Sequence, residues 1–161
     1  MNKQQFIHYV ETHQRQLRQF LTGLCCGDAD LADDLAQDTL IKAYLSCESF
    51  RDDSKFSTWI YRMAYNTFIS HRRSYKLTGP LDDASEIASL NKADGSFDYQ
   101  RLHAALDKLS DKERMAILLY YLEGYPIREI SEITDTTIDA VKAQLSRGRK
   151  HLKDILEEKR L

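Results

Sequence analysis

Two prolines and one tryptophan in 161 residues leave few obligatory breaks, and six glycines leave few free turns. Collagen-like and proline-rich coil architectures are excluded on that count. Three cysteines, Cys25, Cys26 and Cys47, cannot build a disulfide framework, and chain neighbours such as Cys25 and Cys26 rarely pair. They read as small buried apolar residues. The five histidines (8, 13, 71, 103 and 151) form no HxxxH pair, and no CxxC is present. No metal site and no cofactor is therefore expected. P-loop, GxGxxG, GxSxG and HExxH patterns are missing too, which leaves no catalytic residue to nominate and argues against an enzyme. No apolar run approaches the ~18 residues that cross a bilayer. The opening Met1-Asn2-Lys3-Gln4-Gln5 lacks the apolar segment of a secretory signal. The expected location is the cytoplasm, without membrane insertion.

What is present is 42% apolar residues, enough to bury a core, and 30% charged residues with a net charge of −2. The average conceals clusters. Asp28, Asp30, Asp33, Asp34 and Asp38 stand together, whereas Lys142, Arg147, Arg149, Lys150 and Lys153 follow one another with no acid between them. Residues 77–99 hold five acids and one base. Clusters of both signs point to more than one partner surface.

Apolar spacing is helical nearly throughout. Phe6, Val10, Leu17, Leu21 and Leu24 predict a first helix that Gly23 and Gly27 interrupt. Asp28 or Asp30 then caps a second, carrying Leu31, Leu35, Ala36, Leu40, Ala43 and Tyr44, with its acids at the positive end of the helix dipole. A third starts near Ser54 or Ser57 and runs to about Ser74. Residues 77–97 contain Gly79-Pro80 and Asp94-Gly95 and little periodicity, so they read as a linker. Beyond it, Leu102, Ala105, Leu106 and Leu109 mark a short helix. Ser110 with Glu113 forms a capping box for the next, whose Met115, Leu118, Leu119 and Leu122 share one face. Nothing alternates with period two for long enough to demand a strand. The expectation is an all-α chain of two small helical domains, 1–76 and 100–161, joined by a flexible acidic linker at 77–99.

Residues 126–150 read PIREISEITDTTIDAVKAQLSRGRK. A short helix to Ile133, a Thr134-Asp135-Thr136 turn and a longer helix from Thr137 match a helix-turn-helix. Ser131, Asp135 and Val141 take its small, turn and core positions. Thr136 with Asp139 resembles a capping box. At ~100° per residue, Ile138, Val141, Leu145, Gly148, Leu152 and Ile155 share the inner face. Ala143, Ser146, Arg147 and Lys150 point away, flanked by Lys142, Gln144 and Arg149. Such a face suits a major groove, where Arg and Lys meet phosphates or guanine edges and Gln reads adenine.

The third helix carries a second patterned surface. Its inner face is Phe56, Ile60, Met63, Ala64 and Thr67. Thr58, Tyr61, Tyr65, Ile69 and Arg72 fall opposite, with Arg62, Asn66 and Arg73 along one edge. Exposed tyrosines one turn apart, lined by guanidinium groups and an amide, suit unstacked bases: rings stack, cations neutralise phosphate, and Asn reads a base edge. Trp59, at the margin of the inner face, reads as core.

Two stretches together resemble the sigma-70 family of bacterial transcription initiation factors, in its small extracytoplasmic-function (ECF) type. One is DADLADDLAQDTLIKAY followed by FRDDSKFSTWIYRMAYNTFISHRR. The other is LDKLSDKERMAILLYYLEGYPIREISEITDTTIDAVKAQLSRGRKHL. The resemblance implies a non-catalytic protein that binds core RNA polymerase (clamp helices and flap) and promoter DNA, and that an anti-sigma factor commonly restrains. It places Asp34, Leu35, Gln37, Asp38, Leu40 and Tyr44 on the polymerase clamp. Thr58, Tyr61, Arg62, Tyr65, Asn66, Ser70, Arg72 and Arg73 would meet the −10 element and its melted strand, with the loop at 46–57 walling a flipped base. Thr137, Lys142, Ala143, Gln144, Ser146, Arg147, Arg149 and Lys150 would lie at the −35 element. Asp135 stands where a turn Gly is customary, Gln144 where Arg is frequent and Ser110 where Pro is common. The competing reading is a stand-alone helix-turn-helix regulator on duplex operator DNA. It uses 126–153 and leaves the Asp34–Tyr44 helix and the tyrosine stripe without a task.

Overall fold

Asn2 opens the first helix, α1 (Lys3–Leu24). Its side chain accepts from the Gln5 N–H at 2.8 Å, while the Gln5 side chain accepts from the Asn2 N–H at 3.0 Å. That reciprocal pair satisfies two donors that a helix start leaves open. The computed structural model describes residues 1–50, 55–78 and 97–158. Among these the chain is helical, with no strand.

After α1 the chain reverses through Cys25, Cys26 and Gly27, and Asp28 caps α2 (Ala29–Ser46) by accepting from the Leu31 N–H at 3.2 Å. A 3-10 turn, Cys47–Ser49, follows. Helix α3 (Phe56–Thr78) is one turn longer than its apolar pattern predicts. The second half begins with α4 (Phe97–Asp107). Ser110 and Glu113 form the predicted capping box of α5 (Asp111–Ile117), at 3.0 and 3.2 Å. Helix α5 widens into a π turn, Leu118–Leu122. Then come α6 (Ile127–Thr134) and α7 (Ile138–Glu158). The predicted linker, apart from its ends, lies outside the described residues.

Helices α6 and α7 meet at Asp135, whose φ of 53° and ψ of 49° are the left-handed conformation that a helix-turn-helix bend needs. Asp tolerates it better than most residues. The cap of α7 differs from the predicted one. Thr137, not Thr136, accepts from the Ala140 N–H at 3.0 Å, three residues on, as an N-cap must. Thr136 instead hydrogen-bonds Thr134.

One continuous apolar core joins the halves. Phe20, Leu21, Leu24, Ile60 and Phe68 from the first, and Met115, Leu119, Ile130 and Leu145 from the second, belong to the same cluster. Two glycines set its tightest approaches. A Cβ on Gly23 would lie 3.0 Å from Leu118 Cδ2, and one on Gly148 would lie 2.9 Å from Ile117 Cγ1. The first lets α1 approach the π turn, and the second seats α7 on α5. Between the halves sits Arg114, only 2% exposed. Its guanidinium donates to the carbonyls of Leu106 (2.9 Å) and Leu109 (3.1 Å) and, across the seam, Leu24 (2.9 Å). Asp111 stands 3.5 Å away as counter-charge.

Candidate nucleic-acid interface

Helix α2 buries Ala32, Leu35, Ala36, Thr39 and Ala43 and leaves the other side to solvent. Asp34, Gln37, Asp38 and Tyr44, all assigned by resemblance to the polymerase contact, lie on the solvent side. Leu35 does not: it is core, because it shares the inner stripe with Ala32, Ala36 and Thr39. Leu40 is half-buried. The sequence reading passed over Ile41 and Leu45, which are 58% and 72% exposed. Their spacing of three and seven residues from Asp38 puts them on its face, a signal that the helical wheel contains. The result is an acidic surface with bare aliphatic residues, an arrangement that suits a protein partner better than water. Tyr44 is partly covered: Lys3 Nζ sits 3.9 Å above its ring, and Phe6 lies 5.9 Å from it.

The stripe on α3 is divided. Asn66, Ser70 and Arg73 are exposed, as predicted. Tyr61 is not exposed but 5% accessible, wedged between the rings of Phe20 at 5.0 Å and Tyr125 at 5.5 Å. Burial pushes its hydroxyl pKa well above the ordinary value, and the neighbouring Glu123 carboxylate, which accepts from it, adds to the shift. Thr58 is buried and Tyr65 half-buried. A helical wheel assumes one covered side, but α3 packs on α2 with one face and on α6 with another. Arg62 is exposed, yet its Nε donates to the Glu132 carbonyl at 3.1 Å, and Nη2 donates to the same oxygen. Arg72 Nη2 lies 3.2 Å from Asp111 Oδ1. Just before the helix, Lys55 Nζ meets Glu129 Oε1 at 2.8 Å.

At the start of α3, Trp59 is half-buried and packs against the core, on Phe50 and Phe56 at 5.4 and 5.2 Å. Within the loop expected to wall a flipped base, residues 51–54 lie outside the described ones.

Helix α7 presents Thr137, Lys142, Ala143, Ser146, Arg147, Arg149 and Lys150 to solvent. Gln144 departs from the expectation at 7% exposure. It lies three residues after Val141 and four before Gly148, close enough to the inner stripe to be covered with it. Arg149 is turned sideways, donating to the Tyr121 hydroxyl at 3.1 Å. The outward cations that remain, Lys142, Arg147 and Lys150, have no acid between them, and exposed Asp139 and Asp154 lie toward the two ends of the same face.

Two further features bear on chemistry. Burial pushes the Cys25 and Cys26 thiols up to about 12, so neither is a thiolate at neutral pH. Among the described residues, no group of three or more His, Cys, Asp or Glu is placed to hold a metal ion, and no helix is long and apolar enough to cross a membrane.

Comparison with known proteins names this arrangement. Residues 9–78 match the Sigma-70 region 2 model and residues 99–152 match Sigma-70, region 4. The chain is 33% identical over 149 residues to the ECF RNA polymerase sigma factor SigW of Bacillus subtilis (strain 168), covering 82% of this chain and 79% of that one. It belongs to the ECF sigma factors. A second relative, the ECF sigma factor EcfG of Rhodopseudomonas palustris (strain TIE-1), is 30% identical over 143 residues, 87% of this sigma factor and 78% of EcfG. The fold is similar to that of the sigma factor RpoE solved in complex with the anti-sigma factor NepR from Bartonella quintana. The TM-score is 0.77 at 27% identity, over 95% of this sigma factor and 97% of that chain. The family is not an enzyme family. Its region 2 match also accounts for the α2 and α3 surfaces, which a stand-alone regulator leaves unused.

Proposed function

We propose that this sigma factor docks on core RNA polymerase through the α2 face, reads the −35 element as duplex with α7, and holds the melted −10 strand with α3. It catalyses no reaction itself and acts where the polymerase is, in the cytoplasm. Asp34, Gln37 and Asp38 supply charge and hydrogen bonds to the polymerase, and Ile41 and Leu45 supply apolar area. Lys142, Ser146, Arg147 and Lys150 meet phosphates and base edges in the major groove. Tyr65, Asn66, Ser70 and Arg73 form the polar and aromatic grip on the opened strand. Unstacking a base costs a few kcal/mol, which ring stacking and hydrogen bonds offset for the right base. Each DNA contact is weak alone, and attachment to one polymerase raises the effective concentration of both.

The observation that carries this reading is the separation of surfaces on one chain: an acid-and-aliphatic face on α2 and, on α7, a cationic stretch from Lys142 to Lys153 that contains no acid. An anti-sigma partner also has a place to bind. A groove of about 810 Å³ runs between α1 and the second half, floored by Leu102, Leu118, Leu122 and Leu152. Three arginines, Arg15, Arg18 and Arg149, line it and no carboxylate does, so it suits an amphipathic helix with an acidic edge. The test of the reading is transcription in vitro with core polymerase and the purified chain, mapping the start sites that appear. Asp38→Lys with Ile41→Glu abolishes them by preventing association with core, whereas Arg147→Ala leaves association intact and weakens promoter use. Failure of the unmodified chain to associate with core refutes the reading.

A further inference from the structure

A cleft of about 390 Å³ opens between α1, the start of α3 and the segment that follows the π turn. Its size is that of a small-molecule site, which spans ~300–1,000 Å³. Three phenol rings line it, those of Tyr9, Tyr61 and Tyr125, together with the carboxylates of Glu123 and Glu129 and the ammonium of Lys55.

The walls are fixed in advance. Gly124, with a φ of 74°, makes the bend between Glu123 and Tyr125. The N–H groups of those two residues donate to the Leu118 and Leu119 carbonyls at 3.1 and 3.0 Å, which ties the bend to the π turn. The Tyr61 and Tyr125 rings stand 5.5 Å apart at 70° and form a corner. Tyr9 closes the cleft from α1, its ring stacked on His13 at 4.2 Å and edge-on to Phe56 at 4.6 Å. His13 donates its Nδ1–H to the Tyr9 carbonyl at 3.0 Å.

The charges in this lining do not balance. Glu129 holds Lys55 at 2.8 Å, whereas Glu123 accepts from the Tyr61 hydroxyl and forms no ion pair among the described residues. Glu123 faces all three rings. Burial is the first cause that raises each phenol pKa, and the Glu123 carboxylate adds to the rise in Tyr9, Tyr61 and Tyr125 alike. A half-buried carboxylate among aromatic rings, with no cation of its own, is completed by a cation from outside.

We propose that this cleft binds a small quaternary ammonium ion, with its alkyl head against the rings of Tyr9, Tyr61 and Tyr125 and its charge toward Glu123. Ring faces attract such cations through the aromatic quadrupole. A quaternary head has no N–H to satisfy, which suits a lining whose Tyr61 and Tyr125 hydroxyls are already engaged with Glu123 and Ser57. The site is separate from the polymerase and promoter reading and stands or falls without it.

The test is calorimetric titration of the full chain with three ligands at constant ionic strength. Choline is the probe. Its uncharged carbon isostere, 3,3-dimethylbutan-1-ol, keeps the shape without the charge, and ethanolamine keeps the charge on a primary ammonium. Choline is expected to saturate one site with a Kd of about 1 mM or tighter. Both analogues bind at least about tenfold more weakly. Glu123→Gln weakens choline at least about tenfold, as does Tyr125→Leu, while Tyr125→Phe keeps the ring and stays within about twofold of the parent. Glu132→Gln removes an equal charge outside the cleft and leaves the affinity unmoved. Circular dichroism checks that each variant keeps its helix content, and the comparison of choline with its isostere needs no variant at all.

Absence of saturation by choline overturns the proposal. Equal binding of the isostere reduces the cleft to an apolar cavity, and equal binding of ethanolamine removes the role of the alkyl head; either overturns it. Unchanged affinity in a folded Glu123→Gln, or equal weakening by Glu132→Gln, overturns the assignment of the charge partner. Equal losses in Tyr125→Phe and Tyr125→Leu overturn recognition by the ring.

Discussion

Replacing Arg114 by Met tests the account of how the two halves are joined. The side chain is 2% exposed, so the volume-matched substitution keeps most of its packing and deletes the guanidinium. Three short bonds disappear, to Leu106, Leu109 and Leu24. The loss is unequal. The Leu106 carbonyl keeps the Leu109 N–H at 3.1 Å, and Leu24 keeps only a 3.9 Å contact from the Cys26 thiol. Each buried carbonyl stripped of its donor costs about 1–3 kcal/mol. Two such carbonyls, less the desolvation cost recovered from the removed charge, place the loss at about 3 kcal/mol. That is a large fraction of the ~5–15 kcal/mol that holds a typical domain together. At this chain length it lowers Tm by roughly 6–12 °C. Arg114→Lys is expected to fall between, because an ammonium is a compact point charge that cannot serve three carbonyls with a planar fork. Urea and thermal unfolding followed by circular dichroism provide the measurement. A loss below about 1 kcal/mol for Arg114→Met refutes the claim that this group satisfies the ends of α1 and α4.

Other expectations follow from single positions. Gly148→Ala gains up to ~1 kcal/mol of helix propensity but forces a methyl to 2.9 Å from Ile117 Cγ1, and unfolding should show a net loss of about 1–2 kcal/mol. At Asp135, with φ of 53°, Gly is expected to be neutral within ~0.5 kcal/mol, while Val costs about 1–2 kcal/mol, an order that urea midpoints check. For Glu113, burial raises the carboxyl pKa, but the Ser110 N–H and hydroxyl and the His151 imidazole outweigh it and hold it below 4.5. A depressed carboxyl contributes stability that is present above the unfolded value and lost as pH falls through the folded one. Glu113→Gln should therefore flatten the acid limb of the stability curve below about pH 4.5 and lower stability above it.

Local chemistry was legible in the sequence wherever a few neighbouring residues decide the outcome. The Ser110–Glu113 box, the Asp135 bend, Val141 in the core and Gly148 on the inner face all follow from short-range spacing, and the structure has them where that spacing puts them. What distant residues decide was not legible. Tyr61 is covered by Tyr125, sixty-four positions away, and no wheel drawn on 56–73 contains that information. Gln144 sits at the margin between faces, where a turn of a few tens of degrees settles burial and sequence resolves no such angle. Thr136 and Thr137 compete for one cap, and only the register of α7 decides between them.

The seating of α7 has an evolutionary side. Ile117 presses into the gap that Gly148 leaves, and Val141 and Leu145 anchor the helix by the same flank. Lys142, Ala143, Ser146, Arg147 and Lys150 project the opposite way and support none of that packing. With α7 as the proposed −35 reader, paralogues can diverge in promoter preference by exchanging this outer row alone, while the buried flank keeps that helix at a constant pose. A genome can accordingly diversify its regulatory wiring on one inherited scaffold, without a new fold for each set of genes.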